Sequence, residues 1–406
     1  MPLLQTPTEG EQNVAVTPVL SWSPSAGDWT VEGVTYPAGS LVSVGLSASV
    51  RTGTPTDVEL ILVPTDRMSI QGVSESEGAS YVRVLDEVTG SLLRLTRPDS
   101  IWRLEPVDLP ANGSLSVTSS DPFSDVVMVN FESFTVPDRL YLLREGSAPR
   151  VIKSLPERFD ASGFVTEQRF ATSADGERIP YFVVRPENLP MDGTAPTLLY
   201  GYGGFEVSLT PSYASPGTIA WLERGGVYVL ANIRGGGEFG PSWHEAALLE
   251  NRQRAFDDFI AVAEDLVSSG ITSPEHLGIS GGSNGGLLVG AVTMQRPDLF
   301  GAVVCAVPLL DMLRYHKLLA GASWMAEYGN PDEPEARAFI TDVAAMGVRK
   351  LVVSGGEPLV RKDLPELLEH AARLGLQLGL VTNSFALPQL WPRLRHLPIY
   401  LLFTSL

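Results

Sequence analysis

No stretch of this chain constrains its fold more than residues 281–286, whose sequence is GGSNGG. It contains the G-x-S-x-G pattern of a nucleophile elbow, in which a serine occupies a sharp, strained turn between a strand and a helix. The four glycines are small enough to let that strand and helix approach closely. We expect the Ser283 hydroxyl to be exposed at the end of the strand. The amide N–H of Asn284 should then point to where an oxyanion would form.

The segments on either side of this turn agree with an elbow. Residues 276–280 form a short apolar run typical of a buried strand, and residues 287–296 have the small, apolar character of a packed helix that ends near Pro297. Strand, turn and helix therefore follow one another in the order that an elbow requires. The alternative is an incidental serine in a glycine-rich turn, which would not need this order.

Composition excludes several classes of function. A chain of 406 residues is long enough for two or three domains. Its net charge of −18 disfavours nucleic acid as a partner, because phosphate contacts need clustered Lys and Arg. The first residues lack the basic start and apolar core of a signal peptide, and no run of 18 apolar residues occurs. We therefore predict a cytoplasmic protein that does not span a membrane, and the sequence leaves its oligomeric state open.

The chain has a single cysteine, Cys305, so no disulfide can form within it. The surrounding run, 300–307, is apolar. We therefore expect Cys305 to be a small residue of the core.

Residues 1–160 have the pattern of a β domain. Short runs rich in Val, Leu and Ile alternate with Gly, Pro, Asp and Ser, as in antiparallel meanders. These runs are 41–44, 58–63, 81–85, 91–95, 114–117, 125–131 and 139–143. Propeller blades and a β sandwich both fit this spacing. No catalytic constellation occurs in this region, which is expected to be a scaffold.

From residue 161 onwards the pattern becomes α/β. Two runs around Asp175-Gly176 predict a hairpin over 164–186. A buried strand that runs into a glycine-rich loop is expected over 197–205, and a second strand and loop over 226–237. Apolar residues at helical spacing predict a helix over 254–269, with Gly270 as its C-cap. Alternating buried strands and amphipathic helices indicate a mostly parallel sheet covered by helices. Together with the elbow, this is the pattern of an α/β hydrolase.

Several long motifs in residues 28–340 closely resemble the prolyl oligopeptidase family. They are LYGYGGF at 199–205, ANIRGGGEFG at 231–240, WH at 243–244, DDF at 257–259, GGSNGG at 281–286, QRPDLFG at 295–301 and DMLRYHK at 311–317. The resemblance implies a seven-bladed propeller joined to an α/β-hydrolase domain that cleaves short peptides after proline without metal or cofactor. Residues 1–160 would then be an incomplete propeller of three or so blades, and residues 161–340 a truncated hydrolase domain.

The resemblance also implies site residues. Ser283 matches the nucleophile, and the Asn284 N–H and the Tyr202 hydroxyl match the two donors to the oxyanion. Phe205, Trp324 and Tyr328 match the aromatic pocket for proline, in which flat rings stack on the pyrrolidine. Considered without the resemblance, each of these three aromatic residues would be assigned to the core.

After about residue 340 the chain departs from the family pattern. Residues 341–385 resemble the start of a radical S-adenosylmethionine barrel, in which GGEP at 355–358 matches the motif that holds the methionine end of the cofactor. That chemistry needs an iron–sulfur cluster on three cysteines, and this chain has one. Residues 341–406 are therefore expected to be a foreign α/β segment without radical chemistry of its own.

A serine nucleophile needs a base and an orienting carboxylate. The acidic and histidine loops of the family are not recognisable here, although Ser283, Asp363 and His396 occur in the chain order of an α/β-hydrolase triad. Asp363 has the context of a helix N-cap, and His396 lacks flanking glycines. The other histidines have contexts that predict no catalytic role: His244, His276, His316 and His370.

The sequence thus predicts a serine-type endopeptidase that hydrolyses short peptides on the carboxyl side of proline, and it leaves open whether this chain is active. Two alternatives remain. One is a proline-peptide-binding module without turnover. The other is a non-functional fusion, in which the hydrolase sheet has an unpaired edge and exposed apolar surface.

Overall fold

A computed structural model describes residues 19–20, 28–31, 33–44, 57–331, 340–341, 343–345, 348–353, 359, 364–382 and 387–404. Its seven α-helices, in this described part of the chain, are α1 Pro216–Leu222, α2 Pro241–Glu245, α3 Gln253–Ser268, α4 Asn284–Gln295, α5 Met325–Tyr328, α6 Leu364–Arg373 and α7 Leu387–Leu394. Short 3-10 helices are Pro98–Ser100, Leu249–Arg252, Tyr315–Lys317 and Gly321–Trp324.

The N-terminal part of the chain folds into antiparallel sheets. Strands β1 Val19–Leu20, β4 Leu41–Ser43 and β5 Glu59–Leu62 form one sheet, and β2 Trp29–Val31 and β3 Val34–Tyr36 form a hairpin. Two four-stranded meanders follow. The first is β6 Met68–Ser76, β7 Ala79–Asp86, β8 Thr89–Thr96 and β9 Arg103–Pro106. The second is β10 Ser114–Ser119, β11 Val127–Glu132, β12 Arg139–Leu143 and β13 Arg150–Ser154.

These meanders follow from alternation along the strands. In β11, Val127, Val129 and Phe131 are buried while the residues between them are half-buried, because successive side chains of a strand point to opposite faces. Each strand pairs with the next one along the chain. Each of the seven apolar runs predicted in this region overlaps a strand, as the sequence analysis predicted.

The α/β part is built on a six-stranded sheet. Its strands are β14 Phe164–Thr172, β15 Arg178–Pro186, β16 Thr197–Tyr200, β17 Val227–Ala231, β18 Leu277–Gly282 and β19 Ala302–Ala306. Their order across the sheet is β14-β15-β17-β16-β18-β19. The predicted hairpin is the antiparallel pair β14–β15, and the sheet is parallel from β17 to β19. The mostly parallel sheet expected from the sequence is confirmed.

Helix α3 shows why the helical pattern was readable from sequence. Its apolar residues, among them Phe259 and Leu266, are fully buried in the main core. The helix ends as predicted, with Gly270 following it at a φ of +76°. The helix also crosses the end of β16 closely, since a Cβ on Gly201 would lie 2.7 Å from the Phe259 ring.

A buried ion pair joins α3 to the hairpin. Arg234 donates from its backbone N and Nε to Asp258 Oδ2 (3.0 and 2.9 Å) and from Nη2 to Asp258 Oδ1 (2.6 Å). Its Nη1 also donates to Asp175 in the hairpin turn (2.5 Å). The Ser173 hydroxyl donates to Asp258 as well (2.6 Å). Since Asp258 is completely buried, Arg234 supplies the countercharge that the carboxylate needs.

Strand β19 lies at the edge of the sheet, and within the described ranges no strand pairs with its outer side. All five of its residues are exposed, although parallel strands are ordinarily buried on both faces. Val304 is 55% exposed and Val307, just beyond the strand, 82%. The expectation that Cys305 is a core residue is therefore wrong, because this cysteine is exposed on the uncovered edge strand. Among the described residues, an unpaired edge and exposed apolar surface are what the fusion alternative predicts, and they do not by themselves decide between the alternatives.

The C-terminal segment forms a separate parallel sheet. Strands β20 Lys350–Val353, β21 Gln377–Thr382 and β22 Ile399–Thr404 pair in that order. Helix α6 contributes Leu364, Leu367 and Leu368 to a small core of its own. The α/β character expected of this segment is confirmed. The GGEP motif at 355–358 lies outside the described residues.

We predict that Arg234→Ala lowers the free energy of unfolding by about 3–5 kcal/mol, because it leaves the buried Asp258 carboxylate without a countercharge. Urea denaturation of both proteins measures the loss. The matched control is Arg254→Ala, whose guanidinium is 3.9 Å from Asp175 on a side chain 45% exposed, and which should cost less than about 1 kcal/mol. Equal losses in the two variants would contradict this role for Arg234.

We also predict that Val304→Lys raises the protein concentration at which the chain self-associates, because a charge on an exposed edge strand opposes strand pairing between molecules. Light scattering over a concentration series measures the onset. Ile101→Lys is the control, since Ile101 is 60% exposed but lies outside any strand. An onset that shifts equally in both variants would mean that net charge, and not the β19 edge, governs association.

Candidate active site

Ser283 occupies the turn between β18 and α4 with a φ of 57° and a ψ of −116°. A positive φ is uncommon for a residue with a side chain and carries strain that the surrounding structure must hold. Asn284, the first residue of α4, is 1% exposed. Because the first four N–H groups of a helix lack intrahelical acceptors, the Asn284 N–H is free to serve as a donor beside Ser283. This is the geometry that the elbow pattern predicts.

Three of the elbow glycines are required by contact distances. A Cβ on Gly281 would lie 2.1 Å from the carbonyl oxygen of Gly285, one on Gly285 would lie 2.7 Å from that of Gly201, and one on Gly286 would lie 2.8 Å from that of Ala306. None of these sites can take a side chain without a backbone shift. At Gly282 the nearest atom would be 3.8 Å away, an ordinary contact. The expected need for small residues therefore holds at Gly281, Gly285 and Gly286, and Gly282 is not required for close approach.

Parallel pairing brings Tyr202 to the same edge of the sheet as Ser283. Strands β16 and β18 align Tyr200 with Ser280, so the residues just after each strand are neighbours. Asn284 strengthens this junction, because its Nδ2 donates to the carbonyl oxygen of Tyr202 (2.5 Å). The Tyr202 hydroxyl makes no hydrogen bond with any residue that the structure describes. The structure thus places Ser283, Asn284 and Tyr202 next to one another at this edge of the sheet.

The predicted aromatic pocket is partly assembled. The Phe205 and Tyr328 rings meet edge to face, with centroids 5.6 Å apart and an interplanar angle of 83°. Tyr315, which the sequence analysis did not select, packs against Tyr328 in the same manner at 5.5 Å and is almost fully buried. Trp324 is half-buried one turn before Tyr328, and among the described residues it makes no ring contact with the other two.

A buried carboxylate behind this pocket was missed by sequence reasoning. Glu327 is 4% exposed and receives three hydrogen bonds: from the Phe205 backbone N–H (3.0 Å), from Arg252 Nη1 (2.9 Å) and from His244 Nε2 (2.8 Å). Burial acts to raise the pKa of Glu327. The bonds from His244 and Phe205 and the charge of Arg252 outweigh burial and lower that pKa below its ordinary value. The side chain is therefore an anion at neutral pH.

Arg252 carries this network to the elbow. Its Nη2 donates to Asn284 Oδ1, and its guanidinium lies over the Tyr328 ring, 5.1 Å from the centroid. The Tyr328 hydroxyl donates to the same Asn284 oxygen (2.6 Å). The only sequence signal for this network was an acidic residue, Glu327, within the aromatic segment 321–329. Nothing in the sequence connected it with Arg252.

Of the two predicted triad partners of Ser283, only His396 lies in the part of the chain that the structure describes. His396 is exposed in the turn after α7, and Asp363 lies outside the described residues. Three other histidines have partners elsewhere: His244 contacts Glu327, His276 contacts Ser273 and His370 contacts Thr341. No histidine in the described part of the chain makes a hydrogen bond with the Ser283 hydroxyl. The pairing of Ser283 with Asp363 and His396 stays a prediction.

A strained serine, two donors and an aromatic pocket at one edge of an α/β sheet suggest comparison with hydrolases. Residues 213–355 match the model of the prolyl oligopeptidase family. The match includes the elbow, Trp324 and Tyr328. It also runs past residue 340, where the resemblance was expected to end.

Individual proteins give the same result. A Sinorhizobium fredii protein named as an uncharacterized peptidase is 43% identical over 333 residues, covering 82% of this chain and 46% of the relative. A prolyl endopeptidase of Elizabethkingia miricola is 39% identical over 228 residues, covering 56% of this chain and 32% of the relative. The structure of a post-proline cleaving enzyme from Rickettsia typhi superposes with a TM-score of 0.72 at 33% identity, covering 94% of this chain and 54% of that one. The chain thus spans about half or less of each relative's length.

These matches support the predicted family and a hydrolase of the prolyl oligopeptidase type. They confirm the predicted fold class, an α/β-hydrolase domain preceded by propeller-type β sheets. They give no support to the predicted resemblance of residues 341–385 to a radical S-adenosylmethionine barrel. The structural match leaves about 24 of the 406 residues outside, so it reaches into the C-terminal segment.

None of the helices in the described ranges is long and apolar enough to cross a membrane.

A second buried acid, Glu238, lies beside the loop that follows β16. Its Oε1 accepts hydrogen bonds from the Leu209 backbone N–H (2.9 Å) and from Asn232 Nδ2 (3.2 Å). Its Oε2 has no hydrogen-bond partner among the described residues. Burial raises the pKa of Glu238 to about 7. The carboxyl group therefore changes charge near neutral pH.

We predict that Glu238 makes the protein less stable as pH rises. An acid whose pKa is higher in the folded state keeps its proton there while the unfolded chain has lost it. Stability therefore falls between the ordinary pKa of 4.5 and the folded value of about 7, by up to about 3 kcal/mol. Urea denaturation at pH 5 and pH 8 should show a smaller decrease for Glu238→Gln than for the parent protein. Glu223→Gln, at an exposed site, is the control. If the stability of Glu238→Gln falls between pH 5 and pH 8 as much as that of the parent protein, Glu238 is not the group responsible for the decrease.

Proposed function

We propose that this chain carries the catalytic site of a serine peptidase that hydrolyses short peptides on the carboxyl side of proline. The observation that carries the proposal is the strained Ser283 turn with Tyr202 beside it, close to the Phe205–Tyr328 pair. The matched relatives named as prolyl endopeptidases support the choice of substrate.

The residues suit acyl transfer. The Ser283 oxygen attacks the carbonyl carbon of the proline residue, and a base takes the hydroxyl proton. The negative charge that develops on the carbonyl oxygen is stabilised by the Asn284 N–H and the Tyr202 hydroxyl. A phenol suits this task, because a neutral donor strengthens its hydrogen bond as charge builds up. The leaving amine departs with a proton, and water then hydrolyses the acyl-serine to release the acid.

The pocket suits proline rather than a charged residue. Phe205 and Tyr328 offer ring faces and edges on which a flat pyrrolidine can pack. Trp324 is assigned to the same pocket by resemblance. The partners that we propose are short proline-containing peptides. The net charge of −18 disfavours nucleic acid as a partner.

A second candidate function is proline-peptide binding without turnover. It is favoured by one observation: no histidine in the described part of the chain bonds to the Ser283 hydroxyl. Without a base, only the modest rate enhancement from binding and oxyanion stabilisation would remain. The aromatic pair would then hold a peptide that the serine cannot cleave.

We predict that the purified chain releases the chromophore from a Gly-Pro substrate and that Ser283→Ala abolishes this release, because the substitution removes the attacking oxygen. Absorbance measures the rate. Turnover lost in Ser283→Ala would establish the peptidase and make Asp363 and His396 the next positions to substitute.

The other outcome separates the two candidates. A chain that melts cooperatively, binds a proline peptide and shows no turnover above Ser283→Ala would establish the binding module. A chain that neither binds nor hydrolyses proline peptides would refute both.

A further inference from the structure

We propose that Glu327 is the positioning residue that sets the preference for proline, by holding the two sides of the aromatic pocket and the oxyanion hole in one hydrogen-bonded unit. The inference rests on the proposed function, because it assumes that Phe205 and Tyr328 contact the proline ring. It goes further, since the elbow motif and the family resemblance point to Ser283, Phe205 and Tyr328 but not to this carboxylate.

The first step is the strain in the loop that carries Phe205. Phe205 and the next residue, Glu206, have φ values of 57° and 56°, which residues other than glycine rarely adopt. Such a backbone persists only where its surroundings hold it. The Phe205 N–H donates to Glu327 Oε1 (3.0 Å), and an ionised acceptor makes this a strong bond. Glu327 therefore holds the strained turn that presents the Phe205 ring.

The second step is that Glu327 and Tyr328 are consecutive residues of the chain. Glu327 immediately precedes Tyr328 in α5, so the carboxylate that anchors one side of the pocket belongs to the helical turn that presents the other. The two rings meet edge to face at 5.6 Å. A change in the position of α5 relative to the Phe205 loop alters the joint surface that the two rings present, and it is on this surface that a proline packs better than a smaller residue.

The third step connects the pocket with the elbow. Glu327 Oε1 also accepts from Arg252 Nη1 (2.9 Å), and the other end of that guanidinium bonds to Asn284 Oδ1. Asn284 in turn donates to the Tyr202 carbonyl (2.5 Å). Arg252 has a side chain only 12% exposed, so it depends on the Glu327 charge to remain in place. The Glu327 carboxylate thus supports both the position of the two aromatic rings and the position of the proposed oxyanion donors.

The test is peptide binding in a Ser283→Ala background, in which no turnover interferes. Calorimetry compares the affinities for Ala-Gly-Pro-Ala and for Ala-Gly-Ala-Ala, both blocked at their ends. We expect the Ser283→Ala protein, which is the parent in this test, to bind the proline peptide more tightly than the alanine peptide. Adding Glu327→Gln should reduce the ratio of the two affinities by about tenfold or more. The substitution keeps the shape of the side chain and removes its charge. Glu264→Gln is the matched control, because Glu264 also pairs with an arginine but is 52% exposed.

Two further measurements separate positioning from general destabilisation. A purely structural role would lower the melting temperature and weaken both peptides alike, leaving the ratio of affinities unchanged. In NMR spectra of protein that carries nitrogen-15 in its phenylalanines, the chemical shift of the Phe205 amide proton should move upfield in Glu327→Gln, because the hydrogen-bond acceptor has lost its charge. The double variant Arg252→Gln/Glu327→Gln has no unpaired buried charge. If Glu327→Gln does not fold, the affinity ratio is measured on this double variant.

The outcomes distinguish this inference from the proposed function. A parent that prefers proline, with the preference lost in the Glu327 variants and kept in Glu264→Gln, establishes the positioning role. A parent that prefers proline, with the preference retained when Glu327 is replaced, overturns the inference alone. A parent that binds both peptides equally overturns the proposed pocket and this inference with it.

Discussion

The close approach of β18 and α4 at Ser283 is the constraint on which the candidate site depends. No side chain fits at Gly281 or Gly286, so strand and helix meet at backbone distance and the serine is held at a positive φ. The in-register pairing of β16 with β18 then places Tyr202 at the same edge. Backbone geometry thus places Ser283, Asn284 and Tyr202 at one edge of the sheet. This arrangement is typical of sites preorganised on rigid elements.

Two buried carboxyl groups lie beside the site, and the charge of their hydrogen-bond partners decides how each behaves. Glu327 meets Arg252 and has a lowered pKa, so it is a permanent anion that can hold loops in place. Glu238 is equally buried but has only neutral donors at Oε1, and its pKa is raised to about 7. The same residue type therefore acts as a fixed anchor in one place and as a pH-sensitive group in the other. Burial penalises the charged form in both, and only Glu327 has a cation to offset the penalty.

The six-stranded sheet is well buried from β15 to β18, whereas no described strand pairs with the outer side of β19. From β15 to β18 its strands are covered, and their residues form the main core. Strand β19 has the same apolar composition and is exposed along its whole length. An apolar strand sequence indicates a preference for burial, but whether a neighbour provides that burial depends on strands elsewhere in the chain. For this reason the sequence could not reveal that Cys305 is exposed.

The sequence by itself determined the features that rest on local chemistry. Elbow glycines, hairpin, helix α3 and the inner strands of the N-terminal sheets were all predictable, because local periodicity and turn residues encode them. The two-residue and three-residue strands β1 to β3 and the outer strands β6, β9 and β13 of the meanders were missed, since they carry little apolar pattern. Only the tertiary structure joined Arg252 to Glu327, which are 75 positions apart, and brought Phe205 to Tyr328. Such contacts depend on how strands are ordered across the sheet, and no local pattern records that order.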